Sequence, residues 1–177
     1  MFKNAFLISL LFISSYLPAN QLSGKYFSID YIRGEGNVEG IKVAYQIHGD
    51  FLDEYTSLFD VYFESSVNFW EYGEQNKHDK NFVLSLSPVF RYEMGVINNS
   101  PVLFEVGVGV SLLNDTQFAG KNVSTHYQFE DRVGIVYKYG SQHEYTFSVR
   151  YFHYSNAGFK KPNPGLDFIA VSIAKKF

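Results

Sequence analysis

The chain is 177 residues long, carries a formal net charge of −3 and contains no cysteine. That length fits one domain, the slight acidity excludes the broad basic face that binding a nucleic-acid backbone requires, and the missing cysteines exclude disulfides and a lipoprotein anchor. Aromatic residues make up 19% of the chain, with 14 Tyr and 18 Phe, while mean hydropathy is close to neutral, a combination that alternating strands produce.

The first twenty residues, MFKNAFLISLLFISSYLPAN, place one early charge at Lys3, an apolar stretch from Ala5 to Leu17 and a small residue at Ala19. This is the layout of a secretory signal peptide cleaved after Ala19, and the apolar stretch is shorter than the roughly 20 residues of a spanning helix. The expected organisation is therefore a signal peptide over 1–19 and one mature domain over 20–177.

From there on, period-2 alternation dominates, recurring between turn clusters at 25–33, 39–48, 57–72, 80–95, 101–113, 125–139, 142–155 and 166–177. In the second run Ile41, Val43, Tyr45 and Ile47 oppose Lys42, Gln46 and His48. The third sets Phe59, Val61, Phe63, Val67 and Phe69 against Asp60, Tyr62, Glu64, Ser66 and Asn68. The fourth sets Phe82, Leu84, Leu86 and Phe90 against Ser85, Ser87, Arg91 and Glu93, and the fifth sets Phe104, Val106, Val108 and Val110 against Glu105, Gly107, Gly109 and Ser111. No segment beyond the leader has a helical period.

A soluble lipocalin-type barrel and a membrane barrel share such alternation and invert its direction. Three features place the apolar face outward. The polar face mixes both signs of charge (Asp60, Glu64, Arg91, Glu93, Glu105, Glu130, Arg132, Arg150), which can pair in a narrow lumen but cannot line an apolar ligand cavity. Tyr and Phe gather toward the strand ends, as membrane-interface girdles do. The last alternating run ends on Phe177, resembling the C-terminal signal of bacterial outer-membrane barrels. The predicted fold is all-β, an eight-stranded antiparallel transmembrane β-barrel. Its even strand count puts both termini on the periplasmic side, the loops near 34–38, 73–79, 114–124 and 156–165 outside, and those near 49–56, 96–100 and 140–141 in the periplasm.

Chemistry concentrates at the last hairpin. Phe147, Val149, Tyr151, His153 and Ser155 share the lipid face of the seventh run, and Asp167, Ile169, Val171 and Ile173 share that of the eighth. His153 and Ser155, two residues apart on one face, lie roughly 6.5–7 Å apart at Cα. The hairpin brings Asp167 beside His153 at the outer rim. A serine needs a base to become nucleophilic, and the base needs an acid that fixes its tautomer. Taken alone, His-x-Ser at a strand end is a common arrangement, and polar groups at the interface cost little. For Asn163, Pro162, Pro164 and Gly165 turn formation is itself a sufficient reason.

The run His153-Tyr154-Ser155-Asn156-Ala157-Gly158, followed by Lys161-Pro162-Asn163-Pro164-Gly165-Leu166-Asp167, resembles the signature of the outer-membrane lipid A 3-O-deacylases, the PagL family. The specific likeness spans residues 152–168. The resemblance implies an eight-stranded barrel in the bacterial outer membrane that hydrolyses the ester-linked 3-hydroxyacyl chain at position 3 of lipid A, with its active site toward the outer leaflet. It implies Ser155 as nucleophile, His153 as general base and Asp167 as orienting acid. Asn163 and Asn156, with backbone N–H groups near Ala157 and Gly158, would support the oxyanion. A family member carries Glu at the acid position, one methylene longer than Asp167. Lipid A or lipopolysaccharide is the implied partner, a homodimer is compatible with the fold, and no cofactor is implied.

Other motifs carry less. His48, His78, His126 and His143 lack metal-ligand spacing and read as rim or loop residues, Gly34-Glu35-Gly36 reads as a turn, and the acids around Asp115 form no calcium loop. Lys160 and Lys161 read first as a solvated loop pair, with lipid phosphates at this rim as the alternative reading. Two alternatives remain: a non-enzymatic outer-membrane barrel acting as adhesin or structural protein, whose function would reside in the outer loops, and a soluble lipocalin-like binder, which would partition into water.

Overall fold

The computed structural model describes residues 24–52, 54–56, 58–73 and 79–177; the expected signal peptide over 1–19 and His78 lie outside them. Ten strands follow in chain order: β1 (Gly24–Gly34), β2 (Val38–Gly49), β3 (Asp60–Tyr72), β4 (Asp79–Ile97), β5 (Ser100–Leu113), β6 (Gln117–Phe118), β7 (Lys121–Asn122), β8 (Tyr127–Tyr139), β9 (Tyr145–Ser155) and β10 (Leu166–Lys176). Eight of them close an antiparallel barrel in the order β1-β10-β9-β8-β5-β4-β3-β2. Closure comes from β1 on β10, with Tyr26 opposite Lys176 and Gly34 opposite Phe168. Gly24 and Phe177 therefore lie at the same end.

The pattern in the sequence becomes the two faces of the wall. On β1, Phe27 is 48% and Ile29 55% exposed, while the alternate Ser28 and Asp30 are wholly buried. Exposed apolar side chains outside and buried charge inside invert the layout of a soluble barrel and match a transmembrane one. Val61 departs from its face: it is buried although Phe63 and Phe69 are exposed. Next to it, Phe51 packs edge-on against Phe63 at 5.1 Å, so the chain just after β2 turns back onto the outer wall.

Most charges inside the lumen pair with one another. Lys42 Nζ lies 3.0 Å from Glu64 and 3.2 Å from Glu130, and Arg132 reaches Glu64 at 2.7 Å and also contacts Glu130. Further toward the termini, Arg91 and Arg150 share Glu105, and Arg150 reaches Asp30 at 3.0 Å. An unpaired charge taken out of water costs several kcal/mol. The network therefore fills the lumen with mutually compensating groups and leaves it unsuited to an apolar ligand.

Above this network, at the end away from the termini, the lumen is sealed by an apolar plug. Trp70 packs on Phe168 at 4.5 Å, Tyr154 at 4.9 Å and Phe118 at 5.9 Å. Phe118 comes from the β6–β7 hairpin, which lies within a connection that the sequence reads only as a loop. Its strands of two residues are too short for any period to register. Aromatic pairs mark both rims outside the wall: Phe69 with Phe82 and Tyr127 with Phe129 at the plugged end, Tyr139 with Tyr145 and Tyr45 with Phe177 at the termini end. The β4–β5 connection is a two-residue turn in which Asn98 and Asn99 both have positive φ, as the twist of a tight hairpin requires.

Candidate active site

On β9 the inward residues Thr146, Ser148, Arg150, Phe152 and Tyr154 are all buried, which fixes Tyr151, His153 and Ser155 on the outer wall. On β10 the buried Leu166, Phe168 and Ala170 do the same for Asp167. The register makes Asp167 the direct cross-strand neighbour of His153, and such opposed side chains start only about 4.5–5.5 Å apart at Cβ. His153 Nδ1 donates to Asp167 Oδ1 at 2.6 Å, with the two side chains 36% and 26% exposed. Because a carboxylate only accepts, the proton belongs on Nδ1, and Nε2 keeps its lone pair for a reacting group. Ser155 is the next residue outward on the same stripe, opposite Phe129 of β8.

Two neighbours escape a reading by motif. Tyr151 Oη donates to the same Asp167 Oδ1 at 2.6 Å. Asp131, on the outer face of β8, lies directly across from His153 on its other side. The sequence held a signal for both, since each shares the outward parity of its strand; for Asp131 it was masked by the inward Glu130 and Arg132 on either side.

The 156–165 connection is built around Asn156. Its side chain is buried, donates through Nδ2 to Val123 O and Lys160 O at 3.0 Å each, and accepts from Gly158 N–H at 2.9 Å. That uses both amide donors and the Gly158 N–H, so neither is free for an oxyanion. Asn163 differs: its Oδ1 accepts Asn156 N–H at 3.1 Å, which turns its Nδ2 donors away from the bond. Ser124 Oγ donates to Pro162 O at 2.7 Å and Lys121 Nζ to Gly165 O at 3.1 Å, clamping this loop to the β5–β8 connection that carries the plug. The Lys161–Pro162 peptide is cis.

The histidines elsewhere stand apart from this group. His48, last but one in β2 and opposite Gly24, is at the termini end of the barrel but faces the lumen: it is buried and stacked on Tyr62 at 4.4 Å, with Nε2 3.1 Å from Gln46 Oε1, because it shares the inward parity of Gln46. His126 and His143 sit at strand-end connections, bonded to the backbone carbonyls of Leu113 and Asn99. Among the described residues no three His, Asp or Glu side chains converge to hold a metal. Gly34-Glu35-Gly36 forms the β1–β2 turn, with Gly36 at φ +66°.

A profile of the family described as Lipid A 3-O-deacylase (PagL) matches residues 39–176, which includes seven of the eight barrel strands and the whole β9–β10 hairpin. The chain belongs to the PagL family. It is 35% identical over 114 residues to the lipid A deacylase PagL of Pseudomonas aeruginosa, a stretch covering 63% of this chain and 62% of that protein. It is 33% identical over 93 residues to the lipid A deacylase PagL of Bordetella bronchiseptica, covering 52% of this chain and 49% of that one. The alignments thus span about half to three fifths of these relatives. The crystal structure of the outer membrane enzyme PagL superposes with a TM-score of 0.72 at 25% identity, covering 86% of this chain and 99% of that one. Family and barrel architecture therefore agree, and the polar cluster on the outer wall lies within the PagL match.

Proposed function

We propose that this protein is an outer-membrane esterase that removes the 3-hydroxyacyl chain ester-linked at position 3 of lipid A. The observation that carries the reading is the 2.6 Å bond from His153 Nδ1 to Asp167 on the lipid face of the barrel, one strand step from Ser155, in a PagL-family chain. Residues 1–19 act as the export signal and 20–177 as the enzyme. With the termini in the periplasm, the plugged end and the His153 cluster face the outer leaflet, where lipid A reaches them laterally.

In this reading Ser155 Oγ attacks the ester carbonyl as His153 Nε2 takes its proton, and Asp167 stabilises the imidazolium that forms. Asn163 Nδ2 donates to the developing oxyanion, while Asn156 acts indirectly by holding the loop that carries Asn163. Collapse expels the sugar oxygen, which leaves as an alcohol with the proton from His153. A water then attacks the acyl-serine with His153 again as base, releasing the 3-hydroxy fatty acid and restoring Ser155. Lys160 and Lys161, both exposed beside this rim, attract the lipid A phosphates. All three triad groups come from one chain, so the reading requires no homodimer. Mass spectrometry of lipid A from cells with and without the protein tests it: one 3-hydroxyacyl chain should be lost on expression. Unchanged lipid A would overturn the reading and favour the non-enzymatic alternative.

A further inference from the structure

Tyr151 lies one step closer to the membrane centre than His153 on the outer face of β9, where its ring alone would pass for one more interfacial aromatic. Its hydroxyl sets it apart. Oη donates at 2.6 Å to Asp167 Oδ1, the same oxygen that receives Nδ1–H of His153. The two donors approach that oxygen from successive outward positions of one strand, while Asp167 stands on the neighbouring strand opposite His153. An aspartate so placed has two rotatable bonds and is partly exposed, so it can turn its carboxylate toward water and away from the imidazole. A second charge-assisted bond from a rigid phenol on the same strand opposes that rotation. The wall around Tyr151 is apolar, with Val133 and Ile169 as its cross-strand neighbours, so its hydroxyl gains by keeping this partner.

We propose that Tyr151 is a positioning residue that holds the Asp167 carboxylate in hydrogen-bonding orientation toward His153. The inference rests on the proposed hydrolytic reading, and it acts through Asp167 rather than on substrate.

The test is a kinetic cycle on purified, refolded protein with lipid A in detergent micelles, comparing the native chain with Tyr151→Phe, Asp167→Asn and the double variant. Each folded barrel is verified by its shifted mobility on unheated gels. Tyr151→Phe should lower kcat about tenfold with KM unchanged, the size expected for loss of one bond to a charged group. In the Asp167→Asn background the same change should alter kcat by less than about twofold, because the carboxylate it orients is gone. An unchanged kcat for Tyr151→Phe, an effect confined to KM, or an equal further loss on top of Asp167→Asn would each overturn the proposal. Ser155→Ala, run alongside, separates the levels: its full inactivation together with an unaffected Tyr151→Phe sinks only the positioning role, an active Ser155→Ala refutes the assigned nucleophile, and no hydrolysis by the native chain sinks the hydrolytic reading itself.

Discussion

The ring of His153 occupies the space in which a side chain at position 165 would begin. A Cβ built on Gly165 would lie 2.5 Å from His153 Cε1, and Gly165 has φ +72°, a conformation that side chains rarely adopt. Turn chemistry therefore explains only part of the Pro-Asn-Pro-Gly segment: its glycine also clears room for the imidazole. Gly165→Ala should leave the barrel assembled, since the residue lies outside the strands, and lower kcat by about 10²-fold through displacement of His153. Activity assays paired with gel mobility check this.

His153 is flanked by two acids, and their geometry distinguishes them. Asp167 is bonded to it at 2.6 Å, while Asp131 is only its register neighbour across β8. Asp167→Asn should reduce kcat by up to about 10⁴-fold, because an amide can hold the wrong tautomer. Asp131→Asn should stay within about threefold of the native enzyme, since no bond to the imidazole is lost. Equal sensitivity of the two positions in steady-state assays would contradict this assignment.

The two asparagines should fail in different ways. Asn163→Asp keeps an oxygen to accept the Asn156 N–H, removes the Nδ2 donors and should cost about 10²–10³-fold in kcat with the loop intact. Asn156→Ala strips partners from the carbonyls of Val123 and Lys160 and from the Gly158 amide, so the loop itself should loosen. Limited proteolysis within 156–165 should then speed up for Asn156→Ala and not for Asn163→Asp.

Lumen substitutions should act on stability. Glu130 accepts from Lys42, Ser87, Tyr154 and Arg132, all inside the barrel. Glu130→Leu leaves Lys42 and Arg132 short of a counter-charge and should destabilise the fold by about 3–5 kcal/mol. Urea unfolding in detergent measures this directly.

Much of this was legible in the sequence because a barrel wall enforces period 2 over long strands. Phe82, Leu84 and Leu86 against Ser85 and Ser87 can be read without coordinates, and the same parity already put His153, Ser155 and Asp167 on one surface. The hairpin likewise put Asp167 beside His153, as the register has it. What parity does not supply is contact: that His153 Nδ1 reaches Asp167 Oδ1, with Tyr151 Oη on the same oxygen, depends on how the side chains pack. The plug was hidden for a different reason: Phe118 sits in a two-residue strand, and it packs on Trp70 and Tyr72, which are distant in sequence. His48 lies at the strand end, as a rim residue does, and its alternation with Gln46 already pointed it inward.

Incubation of purified protein with lipid A, followed by mass spectrometry of the released acid, decides whether this barrel is a lipid A esterase that acts through Ser155. The native chain should liberate a 3-hydroxy fatty acid and leave lipid A one acyl chain lighter, and folded Ser155→Ala should liberate none. Release by Ser155→Ala at the native rate would refute Ser155 as nucleophile, and no release by the native chain would refute the esterase activity itself.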